Sequence, residues 1–504
     1  MFKCRQELIF TILFIIISLL LFSINIINYS VYLIIIFALG LISLILYDKY
    51  PKDIHKIAFI ILILFGLCCV ILSPLNAGHD EPEHFIRAEI TSNGVLIPKY
   101  ELSGDNPYFF KSLGGEDNIG NLTNQKGYKT IGSLTSVPRG LTIYQTNWDD
   151  SKINYTTTYY DSAFAQNPFY AYLAQAIGIL LAKIFDLNNI WMLWLGRLCN
   201  LILYSLICSY SIKKSPALKM PLFVVSAIPL SVILSSTMSS EALNLSLSIL
   251  VIAYFLYMHK LDMIKRKNIF AFFGLILILS LSKVTFGAFS LLILALSKSK
   301  FEHEKDYYLS ILGIGVLFVI LLCWNKYYAV DMLNNSWRGR KFLIDNVNST
   351  AQLSFILHDS RGMMNWLLSF TQIPNILMRL GKFYTFSNVN YIFGIIEAIF
   401  LAIISFIYPI REKLSTKLRV ISLAVVLLIF YGTFFIQYLT WASVGSTDLT
   451  SFGISTRYFL SLFALLPLMF NIDVDRFENL DNIIMLCCVL FLTTAISLIC
   501  LMFY

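Results

Sequence analysis

Apolar runs long enough to cross the roughly 30 Å hydrocarbon core of a bilayer recur along the whole chain, separated by short polar connections. They fall at 8–27, 30–47, 55–74, 190–212, 220–238, 242–258, 269–283, 284–298, 308–327, 388–410, 419–439, 457–471 and 483–503. The pattern predicts an all-α polytopic membrane protein, a transmembrane bundle of about 13 helices, since a helix satisfies its own backbone inside lipid. Two long polar stretches divide the chain into N-terminal spans (1–74), a large loop (75–189), a central bundle (190–327), a second loop (328–387) and C-terminal spans (388–504). The first loop holds Gly/Asn/Thr-rich turns (GDNPYFFKSLGGEDNIGNLTNQKGYK) and is expected to carry some short strands as well. No internal repeat emerges.

Lys and Arg set the orientation. With the N-terminus in the cytoplasm, the basic clusters at 49–56, 213–219, 260–267, 298–305 and 411–419, with Arg476, all lie inside, and both long loops face outward. The first span, behind Lys3 and Arg5, is long for a signal-peptide core and lacks a small-residue cleavage site, so it is expected to be retained. The segment NPFYAYLAQAIGILLAKIF is apolar enough to span, but counting it would invert every later loop. It is expected on the outer surface, with Asn167 as N-cap and Pro168 in the first turn; a true span over 168–185 is the alternative.

Composition agrees with a lipid setting: 57% of the 504 residues are hydrophobic and 13% charged, against roughly 25% charged in soluble proteins. The 15% of aromatic residues suits belts at the two interfaces. The net charge of +8 sits in connecting loops, with no basic patch interleaved with aromatics, so no nucleic-acid partner is expected. Nine cysteines, all in spans or near the N-terminus, form neither a disulfide framework nor zinc-type spacing.

Candidate chemistry gathers at span ends. The stretch NAGHDEPEHFIRAEI follows the third span directly, and Pro82 predicts a short surface helix starting near Asp80 or Glu81. Four-residue spacing lets Asp80 meet His84, and Glu83 meet Arg87. One reading is a capped helix with two local ion pairs; the other is a polar cavity, since carboxylates at a lipid boundary are costly to desolvate. Glu241, Lys283, Arg197 and Arg457 fall at the same level. Each alone suits an interface anchor; together they could hold a phosphate leaving group beside an activated hydroxyl. Glu241 and Lys283 lie near span ends, and a mid-membrane zone free of charge is expected, which favours surface chemistry over transport.

These residues carry a resemblance. HDEPEHFIR, NPFYAYLAQAIG, LGRLCNLILY, IPLSVILSSTMSSEALN, LSKVTFG and GISTRYFLSLFALLP run in the order seen in the domain of unknown function 2142 family of polytopic membrane proteins, which is similar to the GT-C class of glycosyltransferases. The resemblance implies transfer of a sugar from a polyprenyl-phosphate carrier to a cell-envelope glycan or lipid-linked acceptor on the outer face of the plasma membrane. It implies a base or cation-binding role for Asp80, then Glu81, and a second acidic position at Glu241, where the family more often has Asp. Arg457 would bind the donor phosphate. The late motif usually reads Gly-x-Gln-Gly-Arg-Tyr followed by Pro; here Ser455 and Thr456 replace Gln-Gly, Ser461 stands near the expected Pro, and Arg457 and Tyr458 remain.

The expected catalytic residues are therefore Asp80, Glu81 and Glu241, with His84, Arg87, Lys283, Arg457 and Tyr458 binding substrate. Tyr108, Phe109, Phe110, Trp148, Tyr159 and Tyr160 of the first loop are candidates for shaping the acceptor site. No nucleotide-binding loop or large cytoplasmic domain is present, which points to a lipid-linked donor. The carboxylates permit a divalent cation, magnesium or manganese, without requiring one. Two alternatives stay open: a polysaccharide polymerase using lipid-linked repeats, suggested by WRGRK at 337–341, and a lipid-linked glycan transporter or flippase.

Overall fold

The computed structural model describes residues 3–22, 27–101, 127–339, 345–385, 387–409, 414–470 and 479–504. The N-terminal helices are α1 (Lys3–Phe22), α2 (Ser30–Lys49) and α3 (Ile54–Leu72). Helix α4 (Glu81–Ser92) forms where EPEHFIRAEI predicts it, with Pro82 in its first turn. The first loop adds an antiparallel pair, β1 (Tyr128–Ile131) and β2 (Thr157–Tyr160), and then α5 (Leu173–Ile184). The central bundle comprises α6 (Asn189–Lys214), α7 (Lys219–Ala227), α8 (Pro229–Ser235), α9 (Glu241–Lys260), α10 (Arg266–Ser282) and α11 (Glu304–Asn335). Three short helices of the second loop, α12 (Ser349–His358), α13 (Ser360–Leu367) and α14 (Ile373–Met378), precede α15 (Tyr391–Ile407), α16 (Thr416–Thr440) and α17 (Leu480–Phe503).

The protein is an all-α polytopic membrane protein. Among the described residues, seven helices are long and apolar enough to cross a membrane: α2, α3, α6, α9, α11, α16 and α17. Helix α9 is central, with 78% of its apolar window buried, whereas α11 is peripheral at 17%.

Several expected spans are shorter or broken. The run 220–238 divides into α7 and α8 at Pro229, which holds Ile228 extended (ψ 144°) and cannot donate a helical hydrogen bond. The run 284–298 is a 3-10 helix over Val284–Ala295, and 457–471 is a series of single turns at Thr456–Tyr458, Leu460–Ala464 and Leu466–Met469. Such irregular backbone at membrane depth is tolerated where it is buried in protein or lines a cavity.

The segment after Asn167 opens as a 3-10 turn, and Asn167 does not cap it; its side-chain amide donates to the Tyr172 hydroxyl at 2.9 Å. At 12 residues, α5 is about 18 Å long, short of a bilayer core. It packs against α6, where a Cβ on Gly178 would run into the Leu195 carbonyl and Gln175 donates to Asn200 at 3.0 Å. Its other side meets α4 through Lys183 and Glu89, 2.7 Å apart. The segment stands between two helices that carry the motif region.

A charged cavity at one end of the bundle

Where α3 ends, the chain turns through 73–80 into α4. Asp80 occupies the N-cap position in a left-handed conformation (φ 56°), uncommon for a residue with a side chain and most tolerable for Asp, Asn and Gly. Its carboxylate does not cap α4. It crosses to the single turn at Thr456–Tyr458, where Arg457 Nη2 donates to Asp80 Oδ2 at 2.7 Å. That turn is pinned by Thr456 Oγ1, which donates to the Ile376 carbonyl at 2.6 Å.

Glu241 is the first residue of α9, where the helix N-terminus favours a negative charge. It lies 3.8 Å from Arg457 Nε and 3.4 Å from Lys283 Nζ. Lys283, at the end of α10, also lies over the Tyr458 ring, 3.9 Å from its centroid. Asp80, Glu241, Lys283, Arg457 and Tyr458 are thus one cluster assembled from four separate parts of the chain.

The cluster borders a cavity of about 360 Å³, with Asp80, His84, Glu241, Arg457 and Tyr458 on its wall. The same wall carries His79, Arg338, Arg379 and Lys382, so four cationic side chains face two carboxylates. Arg338 is held in place by its neighbour: the Trp337 indole donates to Glu83 at 3.1 Å and its backbone N–H to Asp161 at 2.9 Å. The segment bearing Arg379 and Lys382 is stitched to the motif by Thr385, which donates to the carbonyls of Ala77 (3.0 Å) and Gly78 (3.2 Å). These basic residues lie on or beside short turns of the second loop, Arg379 on a 3-10 turn over Arg379–Gly381; WRGRK drew attention to Arg338, but nothing in the sequence places Arg379 or Lys382 opposite Asp80.

The electrostatics favour an anion. Burial pushes the Asp80 carboxyl up, but the charge and hydrogen bond of Arg457, together with the other cationic groups around it, hold it below the usual carboxylate range. Burial, then the Arg457 charge, pushes the His79 ring down to about 3, and burial brings His84 down to about 4. Both rings are neutral at physiological pH, leaving the cation excess to Arg and Lys.

Other expected site residues lie elsewhere. Glu81 is fully buried and turned from the cavity, with Arg197 at 2.8 and 2.9 Å and the backbone N–H groups of Met238 (2.8 Å) and Gly78 (2.9 Å) on its two oxygens. Its place is that of a positioning residue. Arg87 is buried on the far side of α4, donating to Thr91 and to the carbonyls of Leu96 and Asn167. Neither expected local ion pair forms, because tertiary partners win: Glu83 accepts from Ala163 and Trp337, and the His84 ring bonds the Tyr172 hydroxyl at 2.8 Å.

Tyr108, Phe109 and Phe110 lie outside the described residues, as do Arg340 and Lys341. Trp148 packs under α4 against Phe85, and Tyr159 and Tyr160 belong to β2; the aromatic walls of the cavity are Phe164, Trp441 and Tyr458 instead. Among the described residues no three His, Cys, Asp or Glu side chains converge as a metal site. The two cavity carboxylates are already engaged by Arg457 and Lys283, a donor set that does not fit a resident divalent cation.

One acid departs from the expectation of a charge-free middle. Glu397 lies within α15, fully buried, and neither carboxyl oxygen has a hydrogen-bond partner.

Fold and site together define a polytopic helical membrane protein with an ion-paired cavity at one end of its bundle. The chain belongs to the family described as predicted membrane protein (DUF2142), which matches residues 62–466 and so takes in every wall of the cavity. No curated protein and no solved structure matches the chain.

Proposed function

We propose that the protein is a GT-C-like glycosyltransferase of the plasma membrane, with its N-terminus in the cytoplasm and its cavity on the outer face. The observation that carries this reading is the cavity itself: a carboxylate, Asp80, at hydrogen-bond distance from Arg457, within a wall where cations outnumber acids. A polyprenyl-phosphate sugar supplies the anion such a wall would bind, and its tail would remain in the surrounding apolar bundle.

In the proposed reaction an acceptor hydroxyl oxygen attacks the anomeric carbon. The bond from that carbon to the phosphate oxygen breaks, and its electron pair leaves with the lipid phosphate, stabilised by Arg457 with Arg338 and Lys382 nearby. The hydroxyl proton passes to Asp80. Donor phosphate competes for Arg457, so its binding loosens the pair and restores basicity to Asp80. Glu241 holds Lys283 and Arg457 in position. No step uses a metal.

The test is transfer from a radiolabelled panel of polyprenyl-phosphate sugars in membranes carrying the wild-type chain or Asp80→Asn. Transfer by the wild type, reduced about 10²–10⁴-fold in a correctly inserted variant, is the expected result. Equal transfer by both would remove Asp80 as the base. Arg338 on the cavity wall also suits a polymerase acting on lipid-linked repeats. Transfer from oligosaccharide donors alone would favour that reading.

A further inference from the structure

A second cavity, of about 270 Å³, adjoins the first and shares Arg338, Gln437 and Trp441 with it. Its chemistry differs. Amides and hydroxyls (Asn167, Asn325, Thr285, Thr433) line it together with the indole of Trp324. Its charged lining residues among those described are Lys283 and Arg338, and both are engaged: Lys283 with Glu241, and Arg338 over the Trp441 ring, 4.3 Å from its centroid.

Regular helix is interrupted on two sides of this space. Helix α10 stops at Ser282 and the chain continues as a 3-10 helix from Val284. Across the cavity, α11 widens into a π turn at Asn325–Ala329, with Asn325 Nδ2 donating to the Leu321 carbonyl at 2.8 Å. Turns of this kind recur at ligand sites, and at membrane depth they are tolerated where they face a polar space. Besides the Nε of Arg338, two buried polar atoms on the wall, Ser282 Oγ and Gln437 Oε1, have no hydrogen-bond partner. A ligand hydroxyl supplies what each lacks, donating to the Gln437 carbonyl and accepting from the Ser282 hydroxyl.

We infer that this second cavity is the subsite for a neutral sugar unit of the acceptor glycan. The inference rests on the transfer reading above: the charged cavity takes the donor phosphate, and the second cavity, lined mainly by neutral polar groups, orients the acceptor so that a hydroxyl reaches Asp80. Amide and hydroxyl groups beside an indole face suit a neutral pyranose, which presents hydroxyls at its edge and C–H groups on its face.

The test is binding without turnover. The full chain in detergent micelles is titrated with neutral methyl glycosides, disaccharides and, separately, a polyprenyl-phosphate sugar, read by calorimetry and by tryptophan fluorescence. The wild type is expected to bind at least one saccharide saturably, with about tenfold weaker binding in Asn325→Leu and in the nearly isosteric Thr433→Val. Absence of saturable binding by the wild type, or equal affinity in Asn325→Leu and Thr433→Val, overturns the subsite and leaves the charged cavity's role standing. Weakening confined to a polyprenyl-phosphate sugar would give the cavity to the donor and also overturn it. Saccharide binding lost in both variants, with no transfer from any donor by the wild type, would keep the subsite and overturn the transfer reading.

Discussion

Asp80 and Glu81 are adjacent, carry the same charge, and each meets an arginine from a distant part of the chain. Their settings are opposite. The Glu81 side chain is 0% exposed, and Arg197 gives it two bonds while its other donors go to the carbonyls of Val70, Ser73 and Pro74. The Asp80 side chain is 41% exposed on a cavity, and its arginine keeps an Nε without a hydrogen-bond partner. A fully satisfied pair has no capacity for a ligand, and breaking it strands a buried charge. A half-satisfied pair at an opening can exchange partners. The same two residue types therefore serve as a fastening in one place and as a binding group in the other.

The largest expected effect breaks the fastening. Arg197→Ala leaves Glu81 buried without its countercharge, at a cost of about 3–5 kcal/mol, and is expected to empty the membrane fraction of folded protein. Size-exclusion profiles and thermal unfolding in detergent check this; a wild-type unfolding midpoint would dissolve the contrast. Next comes Arg457→Ala, expected to keep its fold while transfer falls about 10²–10³-fold. Assaying inserted protein by both readouts separates the two arginines.

A pH series sharpens the comparison further. Since Arg457 holds the Asp80 carboxyl below its ordinary value, the pair stabilises the fold above that value, about 3.9, and the contribution is lost as pH falls below it. The difference in unfolding midpoint between wild type and Asp80→Asn is expected at pH 7 and should shrink below about pH 4. A difference constant with pH would mean that Asp80 acts through packing. The smallest effect concerns Glu397, whose unpartnered oxygens predict that Glu397→Met stabilises by about 1 kcal/mol with transfer unchanged. Loss of function in a well-folded Glu397→Met protein would instead favour the transporter alternative.

The sequence made much of the bundle legible because a span must be apolar throughout its length, and α2, α3, α6, α9, α11, α16 and α17 show that directly. Pro229 in IPLS marked a break that hydropathy averaging over 220–238 concealed. The acids and bases at span ends were visible for the same reason as the spans, by contrast with apolar neighbours, and Asp80, Glu241, Lys283, Arg457 and Tyr458 do meet. Which of two adjacent carboxylates faces the cavity was not legible. It depends on the backbone turning left-handed at Asp80 and on Arg197 waiting in α6, both properties of tertiary packing. Glu397 was in plain view within IFGIIEAIF, and its significance comes from burial without a partner.

The left-handed backbone at Asp80 narrows what this position can become. Asn fits the same torsions and the same volume, so a single exchange of oxygen for amide can silence the group while leaving the turn as it is. Glu or Ala there would meet a conformational cost of roughly 1–2 kcal/mol before any chemistry is considered. Change at this site is accordingly uneven: the motif can lose its acid in one small step at no backbone cost, whereas lengthening it by a methylene strains the corner that joins α3 to α4.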